Sequence, residues 1–210
     1  MVTTEICVFT LNEAVTKDLL LLPTGIHKSS LSTVLSQPGC QSIYWGLGIE
    51  DPKKLFWFIE WDSLSSHTRF QSLPSYPSFV ASAATLTDPT APTPISVLHY
   101  NLTPLSTLFP KSSPKPYLEY LNITTSSPPS LSTTLSSLAE SLKTYGVTST
   151  FALSIDEGKG DNAVSLVGWR DLPHHHAFWK TDAFKSTAPQ MQALATAPLF
   201  FVHVDLLEWE

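Results

Sequence analysis

A histidine-containing motif occurs twice in this chain, 108 residues apart. Residues 61–70 are WDSLSSHTRF and residues 169–178 are WRDLPHHHAF, and both fit the pattern W-x-x-L-x-x-H-x-x-F. Helical spacing places His67 and His175 on the apolar face of a helix, beside the Leu and Phe of the motif. A neutral imidazole in a dry site can act as a general base near neutral pH. The alternative is a structural histidine that locks a helix to a sheet, and recurrence in both copies favours this role, since an anchor of the fold would occur in each copy.

A second pair of histidines recurs on predicted strands. Residues 94–102 are PISVLHYNL and residues 198–206 are PLFFVHVDL, so His99 and His203 occupy matched positions. Alternate residues of a strand face opposite sides, and the more apolar set is expected to pack against helices. We therefore expect both histidines on the other side, toward the interior of a barrel. There they are candidate general bases, or structural histidines at the meeting of two sheets.

One carboxylate and one histidine run are the remaining candidates for chemistry. Glu60 lies near the end of a very apolar predicted strand, where a carboxylate facing inward is a candidate acid or base. Its counterpart in the second copy is Gly168, so this feature is asymmetric. The run His174–His176 does not predict a metal site, because consecutive helical side chains point about 100° apart and cannot converge on one ion. We expect no metal.

Aromatic residues make up 11% of the chain, whereas charged residues make up only 14%. Such side chains can line an apolar pocket or fill a core, and composition alone does not separate these roles. The candidates for the pocket wall are Tyr44, Trp45, Trp57, Trp61, Tyr76, Phe79, Trp169 and Phe201.

Composition and missing motifs disfavour several functions. A net charge of −6 with 12 Lys and Arg argues against nucleic acid as a partner, and no apolar run approaches the ~18 residues of a membrane helix. No glycine-rich phosphate loop or serine nucleophile elbow is present, which disfavours nucleotide-dependent enzymes and serine hydrolases. The N-terminus lacks a secretory signal, and Cys7 and Cys40 suit buried free thiols. We therefore expect a cytoplasmic protein.

The matched segments indicate two copies of one unit of about 100 residues. We predict domains over 1–103 and 117–210, joined by a Pro-rich linker over 104–116. Strand and helix signals predict the order β-α-β-β-α-β in each copy, which is the ferredoxin-like arrangement. The predicted strands are 5–11, 40–48, 54–61 and 95–102, then 117–124, 147–156, 162–169 and 199–207. The predicted helices lie within 26–37, from 62 or 63 to 70, after 77, over 130–145 and from 172.

The expected fold class is α+β, with two tandem ferredoxin-like domains closing into one pseudo-dimeric α/β barrel. Helices on one face of each four-stranded sheet leave the other face uncovered, and the strands are apolar on both faces. Two such faces in one chain can cover each other. The protein is then either a monomeric pseudo-dimer or a homodimer.

The run IYWGLGIEDPKKLFWFIEWDSLSSHTRFQSLPSY resembles the antibiotic-biosynthesis-monooxygenase-like (ABM-like) group of dimeric α/β-barrel proteins. The resemblance is clearest over 39–80 and is strongest to fungal members with two domains in tandem. It implies a small-molecule pocket in proteins that include cofactor-independent oxygenases, polyketide cyclases, related lyases and haem enzymes. The second copy lacks the Gly-Cys and Tyr-Trp-Gly elements of the first, which argues against equal sites in both halves.

Three functions remain open on the sequence. The first is a cofactor-independent enzyme of secondary metabolism, in which a histidine moves a proton on an apolar or aromatic, polyketide- or terpenoid-like molecule. Cyclisation, elimination, isomerisation and oxygenation all suit such a site. The second is a haem-binding protein with a histidine ligand. The third is a non-catalytic binder of a small hydrophobic ligand.

Overall fold

The computed structural model describes residues 1–19, 25–109 and 117–209. Within them, two units each contain one sheet and the helices packed on it. The first unit comprises Val2–His99 and the C-terminal segment that starts at Leu207, and the second comprises Tyr100–Leu206 together with Met1.

Apolar and β-branched runs form the sheet of the first unit. Its strand order is β4-β1-β3-β2-β9, and the first four strands have the order of a ferredoxin-like sheet. The elements are β1 (Val2–Thr10), α1 (Glu13–Leu19), α2 (Gly25–Leu35), β2 (Cys40–Leu47), β3 (Lys54–Trp61), α3 (Leu64–Gln71), α4 (Tyr76–Ala84), β4 (Ile95–Leu102) and the C-terminal β9 (Leu207–Trp209).

The second unit repeats this arrangement with the strand order β6-β7-β5-β8. The central strands β5 and β7 are antiparallel, as are β1 and β3 in the first unit. The elements are β5 (Tyr117–Thr124), α5 (Pro128–Thr144), β6 (Thr148–Leu153), β7 (Asn162–Trp169), α6 (Leu172–Phe178), α7 (Asp182–Leu194) and β8 (Phe200–Asp205). The predicted fold class of two tandem ferredoxin-like units is confirmed.

Alternate residues of each central strand form the core beneath the helices. In β3, Trp57, Ile59 and Trp61 pack with residues of α2, α3 and α4, whereas the intervening Phe56 and Phe58 are buried on the opposite face. In β7, Val167 and Trp169 take the corresponding positions. Burying both faces of a strand explains why these segments show so little polar alternation.

Polar caps fix the start of the two helices that carry the motif histidines. The Ser63 side chain accepts a hydrogen bond from the backbone N–H of Ser66 at the start of α3. At the start of α6, Asp171 accepts one from the backbone N–H of His174 at 2.7 Å. Each cap stabilises a helix end by about 1 kcal/mol. The caps therefore hold the first turns that bring His67 and His175 to the sheet.

Two element predictions were wrong in detail. Helix α1 was not predicted, because Glu13–Leu19 follows the first strand without a clear apolar period. The last strand, predicted over 199–207, ends at Asp205, and Leu207–Trp209 pairs instead with β2 of the first sheet. This pairing covers a strand edge that would otherwise expose unpaired backbone groups.

The predicted linker lies only partly within the described residues. Its first part contains a 3-10 helix over Leu105–Thr107, where Leu105 is buried, while 110–116 lie outside the described residues. Among the described helices, none combines the length and apolar character needed to cross a membrane.

Candidate functional site

A buried group of four polar side chains joins sheet to helix in the first unit. Nδ1 of His67 on α3 lies 2.8 Å from Nε2 of His99 on β4. Nε2 of His67 lies 3.5 Å from the carboxylate of Glu5 on β1. The same carboxylate oxygen accepts a hydrogen bond of 2.9 Å from the indole N–H of Trp61. Three strands and a helix thus meet at one hydrogen-bonded cluster.

The second unit contains the same cluster with shorter contacts. Nδ1 of His175 lies 2.6 Å from Nε2 of His203, and Nε2 of His175 lies 3.0 Å from Oε2 of Glu119. The indole N–H of Trp169 donates to that oxygen at 2.7 Å. The indole ring also stacks on His175, with centroids 4.5 Å apart. We call the Glu-His-His set of each unit its triad.

Burial determines the protonation of His175 in the second triad. Burial, with smaller contributions from His203 and the adjacent histidines, lowers the pKa of His175 to about 3, so the ring is neutral at neutral pH. Its single proton lies on Nε2 if it donates to Glu119, which leaves Nδ1 to accept from His203. With that tautomer the donors run in one direction, from His203 through His175 to the Glu119 carboxylate.

A cavity of about 270 Å³ lies between the sheet and helices of the second unit, and Glu119 and His175 lie in its wall. Ligand sites in proteins usually measure about 300–1,000 Å³, so this cavity lies just below that range and suits only a small ligand. Apart from Gln192, the other wall residues are apolar or aromatic: Leu121, Leu138, Leu142, Val167, Trp169, Phe178, Trp179, Phe184, Ala188, Met191, Leu199 and Phe201. A carboxylate at the end of a chain of donors therefore faces an apolar space.

The corresponding cavity of the first unit is smaller, about 120 Å³, and contains Glu5 and His67 in its wall. An apolar cavity of about 150 Å³ can hold a benzene molecule, so this volume admits a single ring at most. The remaining wall residues are Cys7, Phe9, Val34, Trp57, Ile59, Phe70, Tyr76, Phe79, Val80, Ala83, Ile95 and Val97.

The triads also place two imidazoles and a carboxylate close enough to be considered as cation ligands, with one atom from each residue within 4.8 Å of the others. The separation of His175 and His203 at 2.6 Å is that of a hydrogen bond. Two ligands of a tetrahedral ion with bonds of about 2.1 Å lie about 3.4 Å apart. The geometry therefore favours a proton-sharing network over a metal centre.

The expected orientation of the strand histidines was wrong. His99 and His203 face the helices, where they bond to His67 and His175, and do not face the other side of the sheet. The prediction chose the helix side by its apolar character. That criterion failed because Tyr100, on the opposite side of β4, is as completely buried as the core beneath the helices. Both units contain the triad, so the triad by itself does not distinguish the two halves.

Glu60 lies apart from both cavities. It is buried on the face of β3 opposite Trp61 and accepts a hydrogen bond from Ser42. Tyr44 shares that face through its pairing with Phe58, and burial together with Glu208 raises the pKa of Tyr44 to about 12. The structure therefore brings neither side chain to the triad, so neither is a candidate for its chemistry.

The aromatic candidates divide between cavity wall and core. Five line a cavity: Trp57, Tyr76 and Phe79 in the first unit, and Trp169 and Phe201 in the second. Trp45 is a core residue that packs edge-on against His27, and Trp61 stacks on His67 behind the first cavity. Together with Tyr44, these two do not line either cavity.

The sequence analysis missed the two glutamates that complete the triads. Glu5 in VTTEICVFT and Glu119 in YLEYLNIT are single acids in the first strand of their copies, 114 residues apart. Extending the repeat to these strands would have found them, because a repeated acid within an apolar strand needs a buried partner. The change of offset from 108 to 114 concealed the match.

Cys7 also lies in the first cavity wall, and its thiol donates a 3.4 Å hydrogen bond to Glu5. Burial, reinforced by the Glu5 charge, raises the pKa of this thiol well above its usual value. The matched residue of the second unit is Leu121, so the thiol is not part of the shared cluster. Cys7 and Cys40 are both free, and Cys40 is half-buried.

Comparison with known proteins finds similarity at the level of structure. No protein-family model and no curated protein matches the chain. An anthrone oxidase-like protein superposes with a TM-score of 0.71 at 12% identity, over 98% of this chain and 91% of its own. A candidate monooxygenase from Lactobacillus acidophilus NCFM gives 0.61 at 8% identity, over 99% and 93%. A mutant chlorite dismutase from Candidatus Nitrospira defluvii gives 0.56 at 12%, over 97% and 91%.

These matches cover nearly the whole chain, so they involve both units. The predicted resemblance is confirmed at the level of fold: the chain shares its tandem ferredoxin-like fold with an anthrone oxidase-like protein and with candidate monooxygenases. One fold hosts many chemistries, so the activity has to be argued from the site itself.

Proposed function

We propose that this chain is an enzyme that removes a proton from an apolar, aromatic small molecule bound in the cavity of the second unit. The observation that carries the proposal is the Glu119 carboxylate, which lies in the wall of a largely apolar cavity and is held by Trp169 and His175. The base in this proposal is the glutamate, rather than a histidine as the sequence suggested.

The triad geometry suits a positioned base. Two N–H donors fix one oxygen of Glu119, which limits the orientations of the carboxylate before a substrate arrives. An apolar cavity excludes the water that would otherwise solvate the base and weaken its interaction with the substrate proton. His203 does not line the cavity, so we assign it the role of a positioning residue that holds the Nε2–H tautomer of His175.

Proton removal is the step that cyclisation, elimination, isomerisation and oxygenation share. Oxygenation has additional support from the fold, which this chain shares with an anthrone oxidase-like protein and with candidate monooxygenases. In such a reaction Glu119 takes a proton from an acidic CH₂ group, and the carbanion reduces O₂ and forms a C–O bond. Glu119 returns the proton to the resulting peroxide, which loses water to give a carbonyl. The balance is CH₂ + O₂ → C=O + H₂O, with no cofactor.

We assign the triad of the first unit a structural role in this proposal. Its cavity of about 120 Å³ holds one ring at most, although the polar cluster is the same. Glu5, His67 and His99 then serve to lock α3 to the sheet, as one reading of the sequence proposed.

Haem is the alternative cofactor. The geometry is a poor fit for axial ligation by His175, because both ring nitrogens are already engaged, one with His203 and one with Glu119. A Soret band in purified protein, or on titration with haemin, would favour haem and contradict the cofactor-free proposal. Cytoplasmic location, secondary metabolism, fungal origin, closure of the two sheets into one barrel, and the monomeric or homodimeric state remain predictions.

Oxygen uptake with anthrone as the substrate tests the proposal. We expect wild-type protein to consume O₂ and form anthraquinone faster than the uncatalysed reaction, and Glu119→Gln to lower kcat by about 100-fold or more. The matched variant Glu5→Gln should retain the wild-type rate. His203→Asn should lower kcat with little change in KM, as expected for a positioning residue. Tight anthrone binding without turnover would instead support the non-catalytic binder.

A further inference from the structure

The mouth of the second cavity differs from that of the first in its aromatic content. Trp179, Phe184 and Phe201 all line the second cavity, and we call them the aromatic collar. The ring centroid of Trp179 lies 6.2 Å from that of Phe184 and 6.1 Å from that of Phe201. Trp179 is 37% exposed, so this large ring lies at the boundary between cavity and solvent.

The first unit lacks this collar. At the offsets of the repeat, Trp179 corresponds to Gln71 and Phe201 corresponds to Val97, whereas Phe184 corresponds to the aromatic Tyr76. Gln71 is exposed and does not line the first cavity, and Val97 is 42% exposed at its edge. Since both units share the fold and the triad, the aromatic collar makes the two cavities differ in the ligands that they can admit and bind.

The collar is also close to the triad. The ring of Trp179 packs edge-on against His175 with centroids 4.5 Å apart, and His175 bonds to Glu119 at 3.0 Å. A planar molecule that contacts Trp179 and extends past His175 therefore reaches the carboxylate. Aromatic rings favour other aromatic rings in stacked or edge-on geometry, by more than the burial of their surface provides.

We propose that Trp179 is a specificity-determining residue that selects fused-ring aromatic substrates over saturated molecules of the same size. The inference rests on the proposed function, since it assigns a substrate class to the same cavity. Trp179 contacts the substrate ring at the cavity mouth, and Glu119 meets the acidic group at the inner end. In this proposal the exposed part of the indole is the surface that the substrate ring contacts.

Isothermal titration calorimetry with 2-naphthol and its saturated counterpart, decahydro-2-naphthol, tests this inference. We expect Trp179→Gln, which introduces the first unit's residue, to weaken 2-naphthol binding about tenfold and to change decahydro-2-naphthol binding by less than about threefold. Trp179→Phe should keep 2-naphthol affinity within about threefold of wild type, because the ring remains. Gln71→Ala is the matched control and should bind both probes as wild type does.

Equal loss of both probes in Trp179→Gln, no loss of either, or an equal loss in Trp179→Phe would overturn the inference. Glu119→Gln separates this outcome from failure of the proposed function, because it should bind 2-naphthol while losing turnover. Aromatic selectivity that depends on Trp179 without any turnover would leave the inference standing and reject the enzyme. Turnover that depends on Glu119 but not on Trp179 would support the enzyme and reject the inference about Trp179.

Discussion

The two units share a polar cluster and differ in the space beside it. Glu5, His67 and His99 are bonded in the same way as their counterparts in the second unit, yet the cavities measure about 120 and 270 Å³. The shared cluster joins helix to sheet in both units, which explains its recurrence. Chemistry requires in addition a cavity that admits a substrate, and that requirement distinguishes the second unit.

Matched positions account for part of this difference. Trp57 lines the first cavity and pairs with Cys7 in the first sheet. In the second sheet the counterpart of Cys7, Leu121, pairs with Ser165, so Ser165 is the counterpart of Trp57. Phe79 lines the first cavity, and its counterpart is Thr187. Two large rings that fill the first unit are therefore small polar residues in the second. The cavity walls of the two units therefore differ, whereas their triads match.

The largest expected effect concerns Gly168, the counterpart of Glu60. A Cβ atom at Gly168 would lie 2.0 Å from the backbone oxygen of Leu108, so a side chain is excluded there. We expect Gly168→Ala to lower the free energy of unfolding by about 3 kcal/mol, because backbone atoms cannot move aside as a side-chain end can. Urea denaturation measures the loss.

Gly160→Ala provides the control for that substitution. A Cβ at Gly160 meets no atom within 4 Å, so its free energy of unfolding should change by less than about 0.5 kcal/mol. Equal stability of the two variants would show that Leu108 does not exclude a side chain. The asymmetry between Glu60 and Gly168 would then need another cause.

The next effect concerns a buried histidine that only the first unit has. His27 on α2 is fully buried, and neither of its ring nitrogens has a hydrogen-bond partner among the described residues. Its counterpart is Leu135. Burial lowers the pKa of His27 to about 4. Between pH ~6.5 and pH 4 the unfolded chain therefore binds a proton at His27 that the folded chain does not bind. The free energy of unfolding keeps its full value above pH ~6.5 and falls as the pH drops toward 4.

His27→Leu should therefore remove a pH-dependent loss on the order of 3 kcal/mol between pH 7 and pH 4. Chemical denaturation at both pH values measures the difference. His176→Gln, a change at an exposed histidine, is the control and should lose stability with pH much as the wild type does. A His27→Leu variant that loses as much stability as the wild type would show that His27 is protonated in the folded protein.

Most of the fold could be predicted from the internal repeat. The motif around His67 and His175, with the strand motif around His99 and His203, predicted two ferredoxin-like units because periodicity and turn residues are local signals. Strand β9 was not predictable in this way, since pairing between residues distant in sequence leaves no local pattern. Helix α1 was missed because a short helix held by its neighbours needs little periodicity of its own.

The site was predicted in part. The sequence identified the four triad histidines. The side of the strand that His99 and His203 face was predicted wrongly, because both sides of the strand carry buried residues and the side covered by helices could not be recognised. Glu5 and Glu119 could have been found by extending the repeat to the first strand of each copy, but they were overlooked. Trp179 was not predictable, because its role depends on the position of a cavity mouth that only the packed helices define.

Anaerobic mixing of the protein with anthrone tests the central claim most directly, because without oxygen the reaction stops at the deprotonated substrate. The absorbance of the anthrone anion reports proton removal inside the protein. We expect wild-type protein and Glu5→Gln to form the bound anion at the same rate, and Glu119→Gln to form it about 100-fold more slowly or not at all. Undiminished anion formation in Glu119→Gln, or its loss in Glu5→Gln, would contradict the assignment of the base to the second unit.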